Sequence, residues 1–501
     1  MHRVPGAGKK VLGAFAGLLL KLFVQLDRQD LPKMRRLRRE ALECDDVALR
    51  VTKALGSRGY MRARISAVCQ ISGGGGGSLD CPAVKDVPEV SGWPLAFQHC
   101  GHFQHKWTDF HLSSSTVNLQ PGSQTLHFSH TSGSLQVTVT LPPRGGGVHG
   151  IIIGDPCISS RYLPGLCNSR WDVLNKLPIL LNLVNRVDKL DFIAILGDAF
   201  YDVHGDLTAE FWSRLSRQTQ EVFLLAVPGN HDFWMLAPQA TLPQDQLGFG
   251  FLQWYAQDVA EMHIFSSAQN PETEQLTSGH LPNRSLSIQR SVNDHHGLPS
   301  AAHFFFYHIL GDIGFIGYSG AHTWESQEHL FREACAHLAH EQPNQVYVLG
   351  HWSKQDLGCQ AGMDVPSLTS RLRAGPCREI ASRMFYFMGH DHCNRIAPDG
   401  RGFLVGGGGA KQGSGVCSKR GAQSMVGWGF AYIDTRDESG EVACNAKNAS
   451  GHLIAKFTVA TDEADYSNDL TSCILRRGSL RRCVGAPYSA VWVNGTAAST
   501  N

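Results

Sequence analysis

The sequence lacks an excess of charge of either sign. Its 45 lysines and arginines nearly cancel 44 aspartates and glutamates, leaving +1 over 501 residues. No global field would therefore recruit nucleic acid, an acidic membrane surface or an anionic substrate. Long apolar runs are missing too. Val11 to Leu20 is cut by Lys21 and resumes only as Leu22-Phe23-Val24, too short for a membrane-spanning helix of about 20 residues. Cysteine is sparse at 14 residues, far below the density of a disulfide-stapled scaffold. Neighbours such as Cys157/Cys167, Cys359/Cys377 and Cys473/Cys483 are candidates to pair in an oxidising compartment; the alternative is reduced, buried thiols. The cluster His99, Cys100, His102 and His105 fits no zinc-finger spacing and reads as structural or incidental.

At 42% hydrophobic and 18% charged, the chain is globular by composition and long enough for one large domain or two to three ordinary ones. Residues 1–85 differ from the rest. Arg3, Lys9 and Lys10 precede the short apolar segment, and Lys33, Arg35, Arg36, Arg38 and Arg39 follow it. That pattern suits a secretory signal or uncleaved N-terminal membrane anchor, with an organellar presequence, or a plain disordered extension of a cytoplasmic protein, as alternatives. No small-x-small cleavage site stands out. The glycines Gly73 to Gly77 form a linker. Sequons at Asn283, Asn448 and Asn494 support secretion only weakly. Nothing in the sequence fixes an oligomeric state.

Residues 86–146 alternate polar and apolar with period two around Pro121-Gly122 and Ser132-Gly133, which predicts antiparallel strands in a β-rich extension. From Gly150 onward, strands and helices alternate, the mark of an α/β domain. Helices are expected over Trp171–Val187, Leu207–Gln220 and roughly 324–340. Apolar strands are expected to end just before Gly154-Asp155, Gly197-Asp198, Gly229-Asn230-His231, Gly350-His351 and Gly389-His390-Asp391-His392. Residues 233–300 read as an insertion or lid, and 461–501 as a polar tail.

Those five strand ends carry carboxylates, an amide and imidazoles. In open α/β sheets, ligands gather beyond the carboxyl ends of strands. This donor set suits iron, zinc or manganese rather than a calcium cage or a thiolate zinc site. A lone histidine at a strand end is usually a satisfied core residue; five such elements in succession argue for a metal centre. Asp198, with two carboxylate oxygens, can bridge two ions.

The ordered blocks Gly197-Asp198-xx-Tyr201, Gly229-Asn230-His231-Asp232, Val348-xx-His351 and Gly389-His390-Asp391-His392 resemble those of the calcineurin-like metallophosphoesterases, and in particular the purple acid phosphatases. The resemblance covers about residues 148–460. It implies a four-layer αββα sandwich, two mixed β-sheets flanked by helices, within a domain at 147–460. It also implies a binuclear centre of iron paired with zinc, manganese or a second iron. Asp155, Asp198, Tyr201 and His392 would hold one ion, and Asp198, Asn230, His351 and His390 the other. Cys157 departs from the family's pattern, as a soft ligand or a bystander. Tyr201 is either a phenolate ligand or an outer residue that packs or hydrogen-bonds.

The expected activity is hydrolysis of a phosphate ester. Two cations about 3.5–4 Å apart clamp phosphate and lower the pKa of a water. His231 would protonate the leaving oxygen, with Asp232 orienting it. His204, His295, His296, His322 and Lys354 are candidate wall residues that the sequence does not place. A phosphodiesterase rather than a phosphomonoesterase, or a non-catalytic interaction module on the same fold, are the alternatives. The second expects eroded blocks, and these stand.

Overall fold

In this computed structural model, residues 108–130, 133–159, 173–201, 206–233, 301–397, 399–410 and 429–436 are described. So are single residues 167 and 251 and shorter stretches at 46–53, 61–70, 95–96, 99–105, 453–457, 474–476 and 492–494. Strands β1 (Asp46–Lys53), β2 (Met61–Gln70), β3 (Leu95–Ala96), β4 (His99–His105), β5 (Thr108–Leu119), β6 (Gly122–His130) and β7 (Gly133–Leu141) come first. Next are β8 (His149–Ile153), β9 (Ile158–Ser159), helix α1 (Val173–Val187), β10 (Phe192–Leu196), β11 (Phe200–Tyr201), α2 (Asp206–Ser213), α3 (Arg217–Gln220) and β12 (Phe223–Val227). The second half holds β13 (Phe306–Leu310), β14 (Ile313–Gly317), α4 (Trp324–Glu341), β15 (Gln345–Leu349), α5 (Val365–Ala374), β16 (Met384–Met388), β17 (Asn394–Ile396) and β18 (Gly402–Val405). Strands β19 (Ala431–Asp434), β20 (Leu453–Phe457) and β21 (Trp492–Asn494) follow.

One mixed sheet runs in the order β21-β20-β19-β8-β10-β12-β1-β2-β5-β4, and a second β13-β14-β15-β16-β18-β17. Strands β8, β10 and β12 are mutually parallel, as are β14, β15, β16 and β18.

Strand periodicity decides the layers. Side chains alternate across a sheet, and the alternation here sorts into three cores. Ile152, Phe192, Ala194, Leu196, Phe223, Leu225 and Val227 of the first sheet share one cluster with Phe315, Tyr347, Leu349, Phe385, Phe387 and Phe403 of the second. That cluster is the interface between the sheets. The intervening Ile151, Ile153, Ile193, Ile195, Leu224 and Ala226 face Val173, Leu177, Leu180, Leu181 and Val184 of α1, with Phe211 and Trp212 of α2. On the far side, Val346, Val348, Met384, Tyr386 and Met388 pack on Leu330, Phe331, Ala334 and Leu338 of α4 and Leu368 and Leu372 of α5. The order is helix, sheet, sheet, helix. Strands buried on both faces read as continuous apolar runs, which is why these were legible.

Local signals set the helix ends. Thr323 caps α4 by accepting the Ser326 N–H at 3.4 Å, and Gln342 closes it in the left-handed region at φ 53° with Pro343 next. Asp364 caps α5 through the Ser367 N–H at 3.1 Å.

The structure departs from the sequence reading in three places. Residues 1–85 were expected to lie outside the fold, yet β1 pairs in parallel with β12 and β2 pairs with β1 and β5. Val47, Leu49 and Val51 do alternate with period two, but the basic residues around them (Arg50, Lys53, Arg62, Arg64) obscured the pattern. The helix expected over 207–220 is two helices, broken at Arg214–Ser216, where Ser216 starts a new cap on Thr219. Cys377 bonds to Cys335 rather than to Cys359, which is free; residues distant in sequence meet where α4 passes the 3₁₀ turn at Arg378–Arg383. The Cys473/Cys483 pair, the apolar segment at 11–24 and nearly all of the 233–300 insertion lie outside the described residues. Among the described residues no helix is long and apolar enough to cross a membrane.

Candidate metal centre

Five neighbouring strands of the two sheets end at one crevice. β8 runs into Asp155, β10 into Asp198, β12 into Asn230 and His231, β15 into His351 and β16 into His390. The pairing carries on past the strands: Asp155 N–H donates to Gly197 O at 3.2 Å, Gly350 N–H to Phe387 O at 3.2 Å and Gly389 N–H to His351 O at 2.8 Å. Close approach demands glycine. A Cβ on Gly229 would stand 2.3 Å from Asp198 Oδ1, and Gly197 adopts φ +82° against the Gly229 amide. Asp155, Asp198 and His390 themselves take positive φ values of 52°, 54° and 72°. Strained backbone of this kind gathers at functional sites.

Hydrogen bonds fix which atoms face inward. A backbone carbonyl can only accept, so the 2.7 Å contact of His351 Nδ1 with Leu196 O makes Nδ1–H the donor. A carboxylate likewise accepts, so His390 Nε2–H donates to Asp356 Oδ1 at 2.5 Å. The remaining ring nitrogens, His351 Nε2 and His390 Nδ1, lie 3.2 Å apart, and each is 3.1 Å from Asn230 Oδ1. Asp198 Oδ2 is 3.4 Å from His351 Nε2. These four polar atoms converge on one point, an arrangement that a bound cation would satisfy.

Asp155 lies beside these atoms. Its Oδ2 accepts the His390 N–H at 2.8 Å, while its buried Oδ1 has no hydrogen-bond partner. His392 Nε2 stands 3.5 Å from that oxygen. One ligand atom each from Asp155, Asp198 and His351 falls within 4.8 Å of the others. The donors are carboxylate, imidazole and amide oxygen, which fit iron, zinc or manganese.

Electrostatics follow from burial. Desolvation pushes Asp155 well above the usual carboxylate range, with Asp198 adding to it against the opposing charge of His351. Burial would raise Asp198 too, but His351 and then His231 outweigh it and hold its carboxyl low. Burial disfavours the His351 cation, yet Asp198 and Asp155 raise it to about 9. Desolvation lowers His231 despite the nearby Asp198.

Of the sequence-predicted residues, Asp155, Asp198, Asn230, His351, His390 and His392 come together. His231 joins them through its backbone, whose N–H donates to Asp198 Oδ1 at 2.8 Å. Asp232 Oδ2 accepts the N–H groups of Asp198 at 2.9 Å and Gly229 at 2.7 Å, so it braces two strand-end loops. Tyr201 pairs through its backbone with Ser159; its side chain lies outside the described residues, as do His204, His295 and His296. Cys157 is no metal ligand, because it is bonded to Cys167. His322 is buried beside Ser319, with Nδ1 2.9 Å from its Oγ. Lys354 salt-bridges Asp391 and Asp356 at 3.0 and 3.3 Å. Asp356 was missed: it lies in a turn with no periodic signal, and nothing local announces its histidine partner.

Residues 151–394 match the family model of the calcineurin-like phosphoesterases. No curated protein sequence matches the chain. The solved structure of a purple acid phosphatase from yellow lupin (Lupinus luteus) seeds aligns over 83% of this chain and 72% of its own, at 12% identity and a TM-score of 0.47. That likeness is too distant to carry a functional assignment.

Proposed function

Since residues 151–394 place the chain in the metallophosphoesterase superfamily, we propose that it hydrolyses phosphate esters at a binuclear metal centre. The observation that carries this reading is the convergence of His351 Nε2, His390 Nδ1, Asn230 Oδ1 and Asp198 Oδ2 on one point. These four would hold one ion. Asp155, His392 and the other oxygen of Asp198, with Tyr201 as a further ligand, would hold the second. When bound, the ions lower the pKa of a water and neutralise charge on the phosphate.

The protein groups do the rest. Asp198 links the two positions and is held by the His231 amide. Asp232 keeps the loops of Asp198 and Gly229 in register. The His231 ring, partly exposed, is the group that delivers a proton to the leaving oxygen.

Adding zinc, manganese or iron to the purified protein and comparing p-nitrophenyl phosphate with its bis-ester tests the proposal and sorts monoester from diester activity. No turnover of either substrate with any metal sinks it.

A further inference from the structure

The two histidines that share Asn230 are held by different means. His351 leans on a main-chain carbonyl, which no side-chain substitution removes. His390 leans on Asp356, a side chain from a different loop 34 residues earlier. That loop is built to stay where it is. Trp352, fully buried, anchors its start, with Val365 N–H donating to Trp352 O at 2.9 Å and the indole N–H to Leu357 O at 3.3 Å. Ser353 Oγ donates to Asp391 Oδ2 at 2.6 Å, and Lys354 Nζ to Asp391 Oδ1 at 3.0 Å. The same ammonium stands 3.3 Å from Asp356 Oδ2. Asp391 sits between His390 and His392 in the chain, so one lysine ties the Asp356 loop to the segment that carries both histidines.

Resting on the binuclear reading above, we propose that Asp356 is a positioning residue of the metal centre. It holds His390 in the tautomer that offers Nδ1, with Lys354 and Asp391 as the latch that keeps it in reach. The two nitrogens of an imidazole point in diverging directions, so a carboxylate on Nε2 faces away from the ion it serves. It acts by fixing the ring's rotation and keeping the proton on Nε2, so that Nδ1 keeps its lone pair. Partners of this kind typically contribute about 10–100-fold in metal affinity.

Calorimetric titration with zinc of wild type, Asp356→Ala, Asp356→Asn and Lys354→Met tests the role, alongside ¹⁵N chemical shifts of the histidine rings. Asp356→Ala should lose about 10–100-fold in affinity for one ion, with the other unchanged. Asp356→Asn should recover part of the loss, because an amide oxygen still accepts from Nε2–H. Lys354→Met should lose less than Asp356→Ala. The His390 ring should report an Nε2–H tautomer in wild type and a mixture in Asp356→Ala. Wild type that takes up two zinc ions beside an Asp356→Ala variant with the same affinities and the same tautomer overturns the role alone. Wild type that takes up no zinc overturns the metal centre and the role with it. Asp356→Ala that does not fold passes the decision to Asp356→Asn, where a wild-type affinity and an unaltered ring spectrum also overturn the role.

Discussion

Asp198 uses its two oxygens in opposite directions, one toward the His231 amide and one toward His351. Asp198→Asn keeps the size and loses the charge, so metal content should fall at both positions and activity with it. Elemental analysis beside turnover measures this, and full occupancy with normal rate contradicts the bridging role. His231→Ala should keep its metal and lose about 10²–10⁴-fold in rate, the usual contribution of a general acid. The loss should shrink for esters with acidic leaving groups, which depart without a proton. Equal losses across a leaving-group series would assign His231 to phosphate binding instead. Tyr201 divides two chemistries. A phenolate on ferric iron gives a coloured protein, and Tyr201→Phe would bleach it; an outer-sphere tyrosine leaves two divalent ions and no band. The visible spectrum of iron-loaded wild type and variant decides between them.

At the scale of elements, the bond between Cys335 on α4 and Cys377 beside the 3₁₀ turn closes a loop with a sequence separation of 42. By loop entropy, Cys335→Ser should cost about 3–4 kcal/mol, read as a lower denaturant midpoint; an unchanged midpoint contradicts it. This bond also shows where sequence reading stops. The strand ends that meet at the crevice were legible because each apolar run stops at a glycine and a polar residue, and because β8, β10, β12, β15 and β16 are buried on both faces. Partners chosen by tertiary proximity leave no such trace. Cys377 looked nearer to Cys359 in sequence than to Cys335, and Asp356 looked like any loop aspartate. The bracing of two strand-end loops by Asp232 Oδ2 through backbone amides is another contact that only the fold reveals.

The whole molecule carries a sensitivity to alkali. Tyr318, Tyr347 and Tyr432 are buried, and desolvation raises each phenol well above 10. Their hydroxyls donate to Met363 O, Gln345 Oε1 and Asp434 Oδ2. The sign is that of a raised pKa: stability is intact below the unfolded value near 10 and is lost as pH climbs toward the folded values. Each phenol withholds one proton, so three together should lower stability by about 4 kcal/mol per pH unit above 10. Denaturant titrations at successive pH values measure this, and a flat response through that range contradicts it. Finally, β19 lies beside β8, and the bond from Val148 to Thr435 next to them spans 287 residues. On the ribosome, then, β8 emerges long before the strand that covers its outer edge. A nascent chain halted just after His392 would already contain every residue proposed to hold metal and still present that edge to its neighbours, an invitation to pair with another chain. That edge is covered only when synthesis passes residue 434.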